Sequence, residues 1–522
     1  MENKPQRKGP YGRPARGNDR RNDDRKPNTG WFNHSNEKDR PRGDRPAGKL
    51  YGRPAFRKDE TVRRQAMPPK RTPDQNAPST TSRKVALEIF EDVIRKDAYA
   101  SLSLDERLRN THLSQLDKRF CASIVYRTIE NLIRIDYALS FFLKDADALE
   151  PQVRDILRIS ACQLLFHDRI PENAIVDEAV KLTRSLGMEG LTGLTNAVLR
   201  SMIRGKSDIK WPAPEEGARY LSIMYSVPQW LAERLIDAYG PETAKDICAY
   251  RNENHYTVIR PNLTRYTDEA FEEMLRKKVW EVEKGAVPHA FRVRMASEIG
   301  RDADYLSGNF SIQGESSMLA AQALDVKKGM QVIDCCAAPG GKTAYLAEVM
   351  EGTGRVYAWD VHNHRVKLIQ AQMRRLKLDN IRPAVRDASV LKEDFIGSMD
   401  AVLLDAPCSG LGVMDNKPDI KIRATEQSVK ELTVLQEKLL DTGCQYVKRN
   451  GTLVYSTCSM LPEENADQVK KFLEKHPDFA LAPLPASFDQ RFSGRYTEAG
   501  LQLLPHRDDV EGFFIARLRR VK

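Results

Sequence analysis

Apolar residues recur at helical spacing through residues 81–205 of the chain. Val85, Ile89, Phe90 and Val93 fall on one face of a predicted helix, and the same period returns in several later segments. Short polar connectors separate these segments, and prolines stand at the start of two of them. The pattern therefore predicts an all-α bundle, whose apolar faces meet in a common core.

The pattern is mixed over residues 206–310. Helical segments follow a Pro-rich linker at 211–214, and a stretch at 256–262 has the composition of a strand. A further helical period covers 268–278. This part of the chain is predicted to be a linker followed by a small α+β subdomain.

Short apolar runs alternate with helical periods over residues 311–522. The runs have the length and the β-branched content of buried strands. They occur at 332–334, 356–360, 381–385, 401–405 and 451–457. Strands that alternate with helices indicate βαβ units and a parallel sheet. The third part of the chain is therefore predicted to be a Rossmann-like, doubly wound α/β domain.

Residues 1–80 differ from the rest in composition. They contain 21 Lys and Arg against 10 Asp and Glu, whereas the remainder contains 62 against 63. Eleven prolines and few apolar residues predict a disordered basic tail, because little apolar burial offsets the entropy of ordering. Arg and aromatic residues are interleaved there, which suits non-specific RNA contact by charge and stacking. A purely solubilising tail fits the composition equally well.

The composition also limits the class of protein. At 522 residues, the chain is long enough for about three domains. No apolar run approaches the ~20 residues of a membrane span, and the basic N-terminus lacks the apolar core of a signal peptide. None of the eight cysteines forms a C-x-x-C pair, which argues against a metal site. We expect free thiols, a cytoplasmic location and, by default, a monomer.

A run of small residues follows the first predicted strand of the α/β domain. It leads directly into a helical period, as in the Gly-rich turn of nucleotide-binding folds, where helix N–H groups face the ligand. The run lacks G-x-G-x-x-G, and Cys stands where a P-loop requires its first Gly, so neither a dinucleotide nor an NTP is indicated. The candidate cofactor-binding residues of this turn are Cys336, Ala337, Ala338, Pro339, Gly340, Gly341 and Lys342.

Acidic residues follow the next two predicted strands. Asp360 comes roughly 20 residues after the Gly-rich turn, where a carboxylate can bind a ribose diol. An Asp at this position can instead cap the following helix. Asp387 follows the third strand and can accept a hydrogen bond from an adenine amino group. S-adenosylmethionine has a ribose and an adenine and needs no phosphate site, so it fits this pattern.

Two cysteines and an aspartate follow the last two parallel strands. Asp405 ends one strand and has Cys408 in the turn behind it, and Cys458 follows the other strand. Because the carboxyl ends of parallel strands meet at one edge of a sheet, we expect all three beside the cofactor turn. Free cysteines are commonly core residues, but these two lie in polar turns at the predicted ligand edge.

This set of groups suits methylation at C5 of cytosine, which is a poor nucleophile. A thiolate that adds to C6 makes C5 nucleophilic, so one difficult step becomes two easier ones. Asp405 can assist the addition by protonating or hydrogen-bonding the N3 edge of the base, and a second thiol can assist proton removal and product release. The target base must leave its stack to reach the site. The chemistry alone does not rank Cys408 and Cys458.

Several blocks resemble the RsmB/Sun family of RNA cytosine-5 methyltransferases. In the α/β domain, and in the order of the family, these are 336–343, 405–410 and 456–465. Segments that resemble the NusB-like RNA-binding domain, which precedes one branch of the family, are 117–127, 153–164, 171–180 and 195–200. Residues 206–310 resemble its small RRM-like subdomain, and 512–518 resembles the antiparallel closing strand of its sheet.

The resemblance implies a cofactor, a substrate and roles for the site residues. It implies S-adenosylmethionine as cofactor and 16S rRNA as the partner that is methylated. It implies Cys458 as the nucleophile and Cys408 as the thiol that aids release. It also implies that the Gly-rich turn, Asp360, Asp387 and Asp405 form the cofactor site.

Two alternatives remain open from the sequence. The same chemistry could act on another rRNA cytosine or on tRNA. The chain could instead be an RNA-binding ribosome-assembly or antitermination factor, but a pure binding protein has no need of both strand-end cysteines. Lys342 and Lys421 could contact RNA phosphate or the active site, although exposed lysines are most often plain surface.

Overall fold

The structure, a computed structural model, describes residues 80–251, 256–294 and 299–522. The predicted basic tail lies outside these residues, apart from its last residue, where the first helix begins. None of the helices in the described part is both long and apolar enough to cross a membrane.

The N-terminal part of the described chain is the predicted all-α bundle. Val85, Ile89, Phe90 and Val93 of its first helix are all buried in one core, as their spacing predicts. In chain order the helices are α1 (Thr80–Arg95), α2 (Ala100–Arg109), α3 (Gln115–Glu130), α4 (Leu132–Ser140), α5 (Pro151–Phe166), α6 (Glu172–Ser185) and α7 (Thr192–Gly205).

Three helices connect the bundle to the rest of the chain. They are α8 (Ala218–Tyr225), α9 (Gln229–Tyr239) and α10 (Pro241–Ala249). Their buried residues do not form a core alone, because Leu231 and Leu235 share one with Leu411 and Met414 of the α/β domain. The connecting helices are therefore part of the packing around the α/β domain rather than a free linker.

A four-stranded antiparallel sheet forms the small α+β subdomain. Its strand order is β2-β3-β1-β4, and the buried side chains of Phe271, Phe291 and Phe310 form its core. Its elements are β1 (Thr257–Pro261), α11 (Asp268–Arg276), β2 (Glu281–Lys284), β3 (Phe291–Arg294), α12 (Ala303–Leu306) and β4 (Phe310–Ile312).

The C-terminal part is built on one large sheet. Its strands are β5 (Gln331–Asp334), β6 (Arg355–Asp360), β7 (Ile381–Val385), β8 (Met399–Asp405), β9 (Val447–Thr457), β10 (Phe479–Leu481), β11 (Tyr496–Thr497), β12 (Gly500–Leu503) and β13 (Phe513–Arg520). Its helices are α13 (Glu315–Ala323), α14 (Gly341–Val349), α15 (Asn363–Leu376), α16 (Ile420–Arg423), α17 (Glu426–Tyr446), α18 (Ala466–Lys475), α19 (Ala486–Phe492) and α20 (Pro505–Asp508).

The order of the strands is that of a doubly wound sheet. The parallel strands lie in the order β7-β6-β5-β8-β9, and β13 adds to β9 in the antiparallel direction. The switch in winding direction therefore falls between β5 and β8, and such a switch point forms a ligand crevice at the carboxyl ends of the strands. The antiparallel β13 covers all but the first residue of the predicted closing strand, 512–518.

Helices cover both faces of this sheet. On one face, Leu346 of α14 and Ile369 of α15 share a core with Val332 of β5. On the other face, Leu440 of α17 and Phe472 of α18 are buried in a second core. The central strands β5 and β8 are thus buried on both sides, which explains why they appear in the sequence as continuous apolar runs, whereas the edge strand β7 is largely exposed.

Candidate active site

Hydrogen bonds between neighbouring strands align the carboxyl edge of the sheet. The backbone N–H of Ala337 donates to Trp359 O at 2.8 Å, and that of Ala406 donates to Ser456 O at 2.9 Å. Asp405 is paired with Ser456 in the parallel ladder. The predicted strand ends are therefore neighbours at one edge.

The Gly-rich turn joins β5 to the start of α14. Gly340 has φ +107°, and a Cβ there would lie 3.3 Å from Ile369 Cα, so this tight turn needs a residue without a side chain. The first turn of α14 leaves backbone N–H groups without helical partners at the mouth of the crevice. Thr343 Oγ1 donates to the buried Asp334 at 2.6 Å and fixes the helix start to the strand end.

The other residues of the turn are small or enclosed. Ala337 and Ala338 are buried, and Pro339 is exposed. Cys336 is half-buried, and burial raises the pKa of its thiol well above the usual value, so it stays protonated. Arg365 of α15 donates to Ala338 O at 3.1 Å and holds the turn against this helix.

The two predicted acidic positions have different surroundings. Asp360 is buried at the end of β6, accepts the N–H of His362 at 3.0 Å and lies 3.3 Å from the guanidinium of Arg365. This bond goes to the residue before α15, so Asp360 fixes the entry to the helix but is not its N-cap residue. Asp387 is exposed, and hydrogen bonds from the hydroxyl and N–H of Ser389 lower the pKa of its carboxyl.

Asp405 accepts hydrogen bonds from two neighbouring elements. Lys342 Nζ donates to its Oδ2 at 2.7 Å, and Ser456 Oγ donates to its Oδ1 at 2.8 Å. Burial lowers the pKa of Lys342, but the adjacent Asp405 outweighs this and raises it, so the side chain remains a cation. The sequence correctly predicted Asp405 and Lys342 as neighbours at one edge, but not the contribution of Ser456.

The two strand-end cysteines lie in contact. Cys408 Sγ and Cys458 Sγ are 3.3 Å apart, and both residues are half-buried. The hydrogen bond from the Cys408 thiol, with the charge of Lys342, lowers the pKa of Cys458 despite its burial. The same bond and burial raise the pKa of Cys408 well above its usual value. The charge of Lys342 thus favours the thiolate, which is the nucleophilic form, at Cys458.

Glycine permits close contact between the two cysteine loops. The N–H of Gly412 donates to Cys458 O at 2.8 Å, and Gly412 O accepts the N–H of Gly512 at 2.9 Å. A Cβ at Gly412 would lie 1.9 Å from Gly512 O. The loop after Cys408 is thus fixed to the segment that follows β9 and to the segment that precedes β13.

Lys421 does not have the position that the sequence suggested. Its side chain is 4% exposed, and its Nζ donates to Tyr225 O of α8 at 3.3 Å. Burial lowers its pKa to about 8. Because the loop folds onto the connecting helices, Lys421 is directed away from any phosphate in solvent, and this hypothesis was wrong.

Comparison with known proteins gives the family. The model of the NusB family matches 80–204, that of the ferredoxin-like domain of RsmF/B-like methyltransferases matches 227–299, and that of the 16S rRNA methyltransferase RsmB/F matches 321–519. The probable ribosomal RNA small subunit methyltransferase B of Bacillus subtilis is 35% identical over 443 residues, 84% of this chain and 99% of that protein. The chain belongs to the RsmB/F methyltransferase family.

Solved structures agree with the fold of an RsmB/F methyltransferase. The crystal structure of PH0851 is 28% identical, with a TM-score of 0.71 over 83% of this chain and 98% of that one. A methyltransferase homologue from Pyrococcus horikoshii is also 28% identical, with a TM-score of 0.51 over 59% of this chain and 100% of that one. The predicted fold class is confirmed, and the small RRM-like subdomain is ferredoxin-like.

As an RsmB/F methyltransferase, the chain uses S-adenosylmethionine, and the residues at the switch point fit this cofactor. The turn of small residues leaves room for close approach of the ligand, and the start of α14 supplies N–H donors. Asp360 lies at the end of the second strand, where a ribose is held in such folds. The cofactor supplies an electrophilic methyl group when it is bound.

Proposed function

We propose that this RsmB/F methyltransferase methylates C5 of a cytosine in 16S rRNA through a covalent bond between Cys458 and C6. The contact between Cys408 and Cys458, beside the Lys342–Asp405 pair, carries the proposal. A binding protein gains nothing from two thiols at the mouth of a cofactor crevice. The names of the relatives support rRNA as the substrate.

Cys458 is the proposed nucleophile, because it is the sulfur with the lowered pKa. Its thiolate adds to C6, which makes C5 nucleophilic toward a methyl group. C5 takes the methyl group as the S–CH3 bond of the cofactor breaks. A base then takes the C5 proton, the C5=C6 double bond re-forms, and the C6–S bond breaks, so that Cys458 leaves as a thiolate. The Cys408 thiol donates to this sulfur, so it stabilises the thiolate both before attack and on departure.

Lys342 and Asp405 are the proposed contacts of the base edge. Asp405 is 28% exposed and Lys342 is 13% exposed, so both reach the crevice. Lys342 is a donor that can hold the N3 and O2 side of the base as negative charge develops there. Ser456 keeps Asp405 in place from the neighbouring strand. We propose the Gly-rich turn, Asp360 and Asp387 as the residues that hold the cofactor.

The test compares Cys458→Ala with Cys408→Ala on small-subunit rRNA. We expect Cys458→Ala to give neither 5-methylcytosine nor a denaturation-resistant adduct. Cys408→Ala should accumulate the adduct, because the leaving thiolate has lost its donor. Nucleoside analysis and a gel under denaturing conditions measure the two products.

The other outcomes also have meaning. The reverse pattern would exchange the two cysteine roles and keep the reaction. Product on tRNA alone would correct the substrate. Absence of 5-methylcytosine on every RNA tested with the wild-type chain would favour an RNA-binding assembly factor.

A further inference from the structure

Glu464 is a buried carboxylate between the two cysteine loops. It ends the short 3-10 helix Pro462–Glu464, and its side chain is 0% exposed. Within residues 80–251, 256–294 and 299–522, the structure shows hydrogen bonds to its carboxylate but no ion pair. Burial of a charge without a counter-ion is costly, so such a group generally has a specific task.

The hydrogen bonds of Glu464 reach the residue after each cysteine. Its Oε1 accepts the backbone N–H of Ser409 at 2.8 Å and the amide of Gln436 at 3.1 Å. Its Oε2 accepts the hydroxyl groups of Ser409 and Ser459, each at 2.5 Å. Ser409 follows Cys408 and Ser459 follows Cys458, so one carboxylate holds both loops.

The charge of Glu464 also acts unequally on the two thiols. After the bond to Cys458 and burial, Glu464 is among the charges that raise the pKa of Cys408. Asp405 raises the pKa of both thiols, whereas Lys342 and Lys417 lower that of Cys458. The geometry is also unequal, because Glu464 bonds both the N–H and the hydroxyl of Ser409, next to Cys408, but only the hydroxyl of Ser459, next to Cys458.

We propose that Glu464 is a positioning residue that holds Cys408 and Cys458 in contact and keeps them chemically unequal. It does not touch the base, and it acts through the two loops that it joins. The inference rests on the proposed function only in its effect on turnover, because the inequality of the thiols exists without substrate.

The first experiment measures this inequality directly by brief alkylation with iodoacetamide at about pH 8, where thiolates react selectively. Mass spectrometry gives the ratio of labelled Cys458 to labelled Cys408. We expect wild type to label mainly at Cys458 and Glu464→Gln to lower the ratio at least about fivefold, since a charge near Cys408 is lost. Glu463→Gln, which removes the neighbouring carboxylate, should leave the ratio unchanged.

The second experiment measures turnover of the same variants. Glu464→Gln should lower kcat about tenfold to a hundredfold and leave the KM for S-adenosylmethionine unchanged, because the cofactor turn is untouched. If Glu464→Gln does not fold, Ser459→Ala removes one of the four hydrogen bonds and should lower the labelling ratio to a smaller extent.

A folded Glu464→Gln variant with the wild-type labelling ratio would overturn the proposal, as would an unchanged ratio in Ser459→Ala. If wild type forms no 5-methylcytosine, the proposed function fails, but the labelling ratio still tests Glu464. The two proposals can thus fail separately.

Discussion

Asp334 ends the first parallel strand with its carboxyl group fully enclosed. Thr343 donates to it, yet burial dominates and raises the pKa of Asp334 to about 7. The unfolded chain would hold this proton only below its ordinary pKa of 3.8. The folded chain therefore binds one more proton than the unfolded chain between these two values.

We expect the free energy of unfolding to fall as pH rises through this interval. The contribution of Asp334 is fully present below about 4 and is lost as pH passes about 7, a loss on the order of 3 kcal/mol between about pH 5 and pH 8. Asp334→Asn removes the titrating group, so its urea unfolding should show less pH dependence than that of wild type. An equally steep dependence in both chains would contradict the assignment.

The sequence revealed the site residues that directly follow apolar strands. Asp405, Cys408 and Cys458 were predictable because parallel strands bring their carboxyl ends together. The role of Ser456 depends on which strand lies beside β8, and that of Glu464 depends on the fold of two loops. Neither arrangement is visible in a linear pattern, although the run of polar residues after Cys458 indicated that this segment also belongs to the site.

At the scale of elements, α16 links the loop after Cys408 to the N-terminal bundle. This helix begins at Ile420, 12 residues after Cys408. Ile422 packs against the bundle core. Arg423 donates to Asp97 O, and its guanidinium lies 4.1 Å from the centroid of the Tyr99 ring. The bundle therefore supports the loop that follows Cys408, the thiol proposed to aid release.

We expect Arg423→Ala to reduce kcat although it lies outside the crevice. Loss of its contacts to Asp97 and Tyr99 loosens the loop, and such changes commonly cost about threefold to tenfold in turnover. The KM for S-adenosylmethionine should not change. Lys430→Ala, at an exposed position of α17, is the matched control, and equal kcat in both variants would show that α16 is passive.

Most elements could be predicted, but the hairpin β2–β3 was missed. Three of the four residues of β2 are exposed and charged, and only one residue of the strand is apolar. A strand of this kind has no apolar period of its own, because its stability comes from pairing with β3. The runs of β8 and of the second half of β9 were evident because both of their faces are buried, whereas the edge strand β7 is largely exposed.

At the scale of the molecule, a buried ion pair joins the ferredoxin-like subdomain to the α/β domain. Arg260 of β1 and Glu348 of α14 are both 0% exposed and form a salt bridge. Arg260 also donates to Gln313, and its guanidinium lies over the ring of Tyr345. The N–H of Leu263 donates to Glu348 at 3.0 Å. The cofactor helix is thus fixed to the preceding subdomain.

Removal of one partner should destabilise the protein strongly. Arg260→Met leaves Glu348 as an uncompensated buried charge, which costs about 3–5 kcal/mol. The double variant Arg260→Met/Glu348→Gln removes the charge and keeps an acceptor for Leu263, so it should recover most of the loss. Chemical denaturation of wild type, both single variants and the double variant measures this coupling. Additive losses would show that the pair does not interact.

The order of the three parts along the chain followed from hydrophobic period alone. The contacts between them did not, because Arg260, Glu348 and Ile422 belong to ordinary helix and strand patterns. Long-range pairs are fixed by tertiary packing, and a single sequence carries no sign of which distant residue lies opposite.

The contact of α16 with the bundle has a consequence for dissecting the chain. A shortened protein that began after α7 would expose the apolar side chain of Ile422 to water and leave Arg423 without Asp97 and Tyr99. The loop next to Cys408 would lose order at the same time as the protein lost any contact that the bundle makes with RNA. Inactivity of such a fragment would therefore say little about RNA recognition. Point substitutions on the outer surface of the bundle are the cleaner way to separate RNA binding from catalysis.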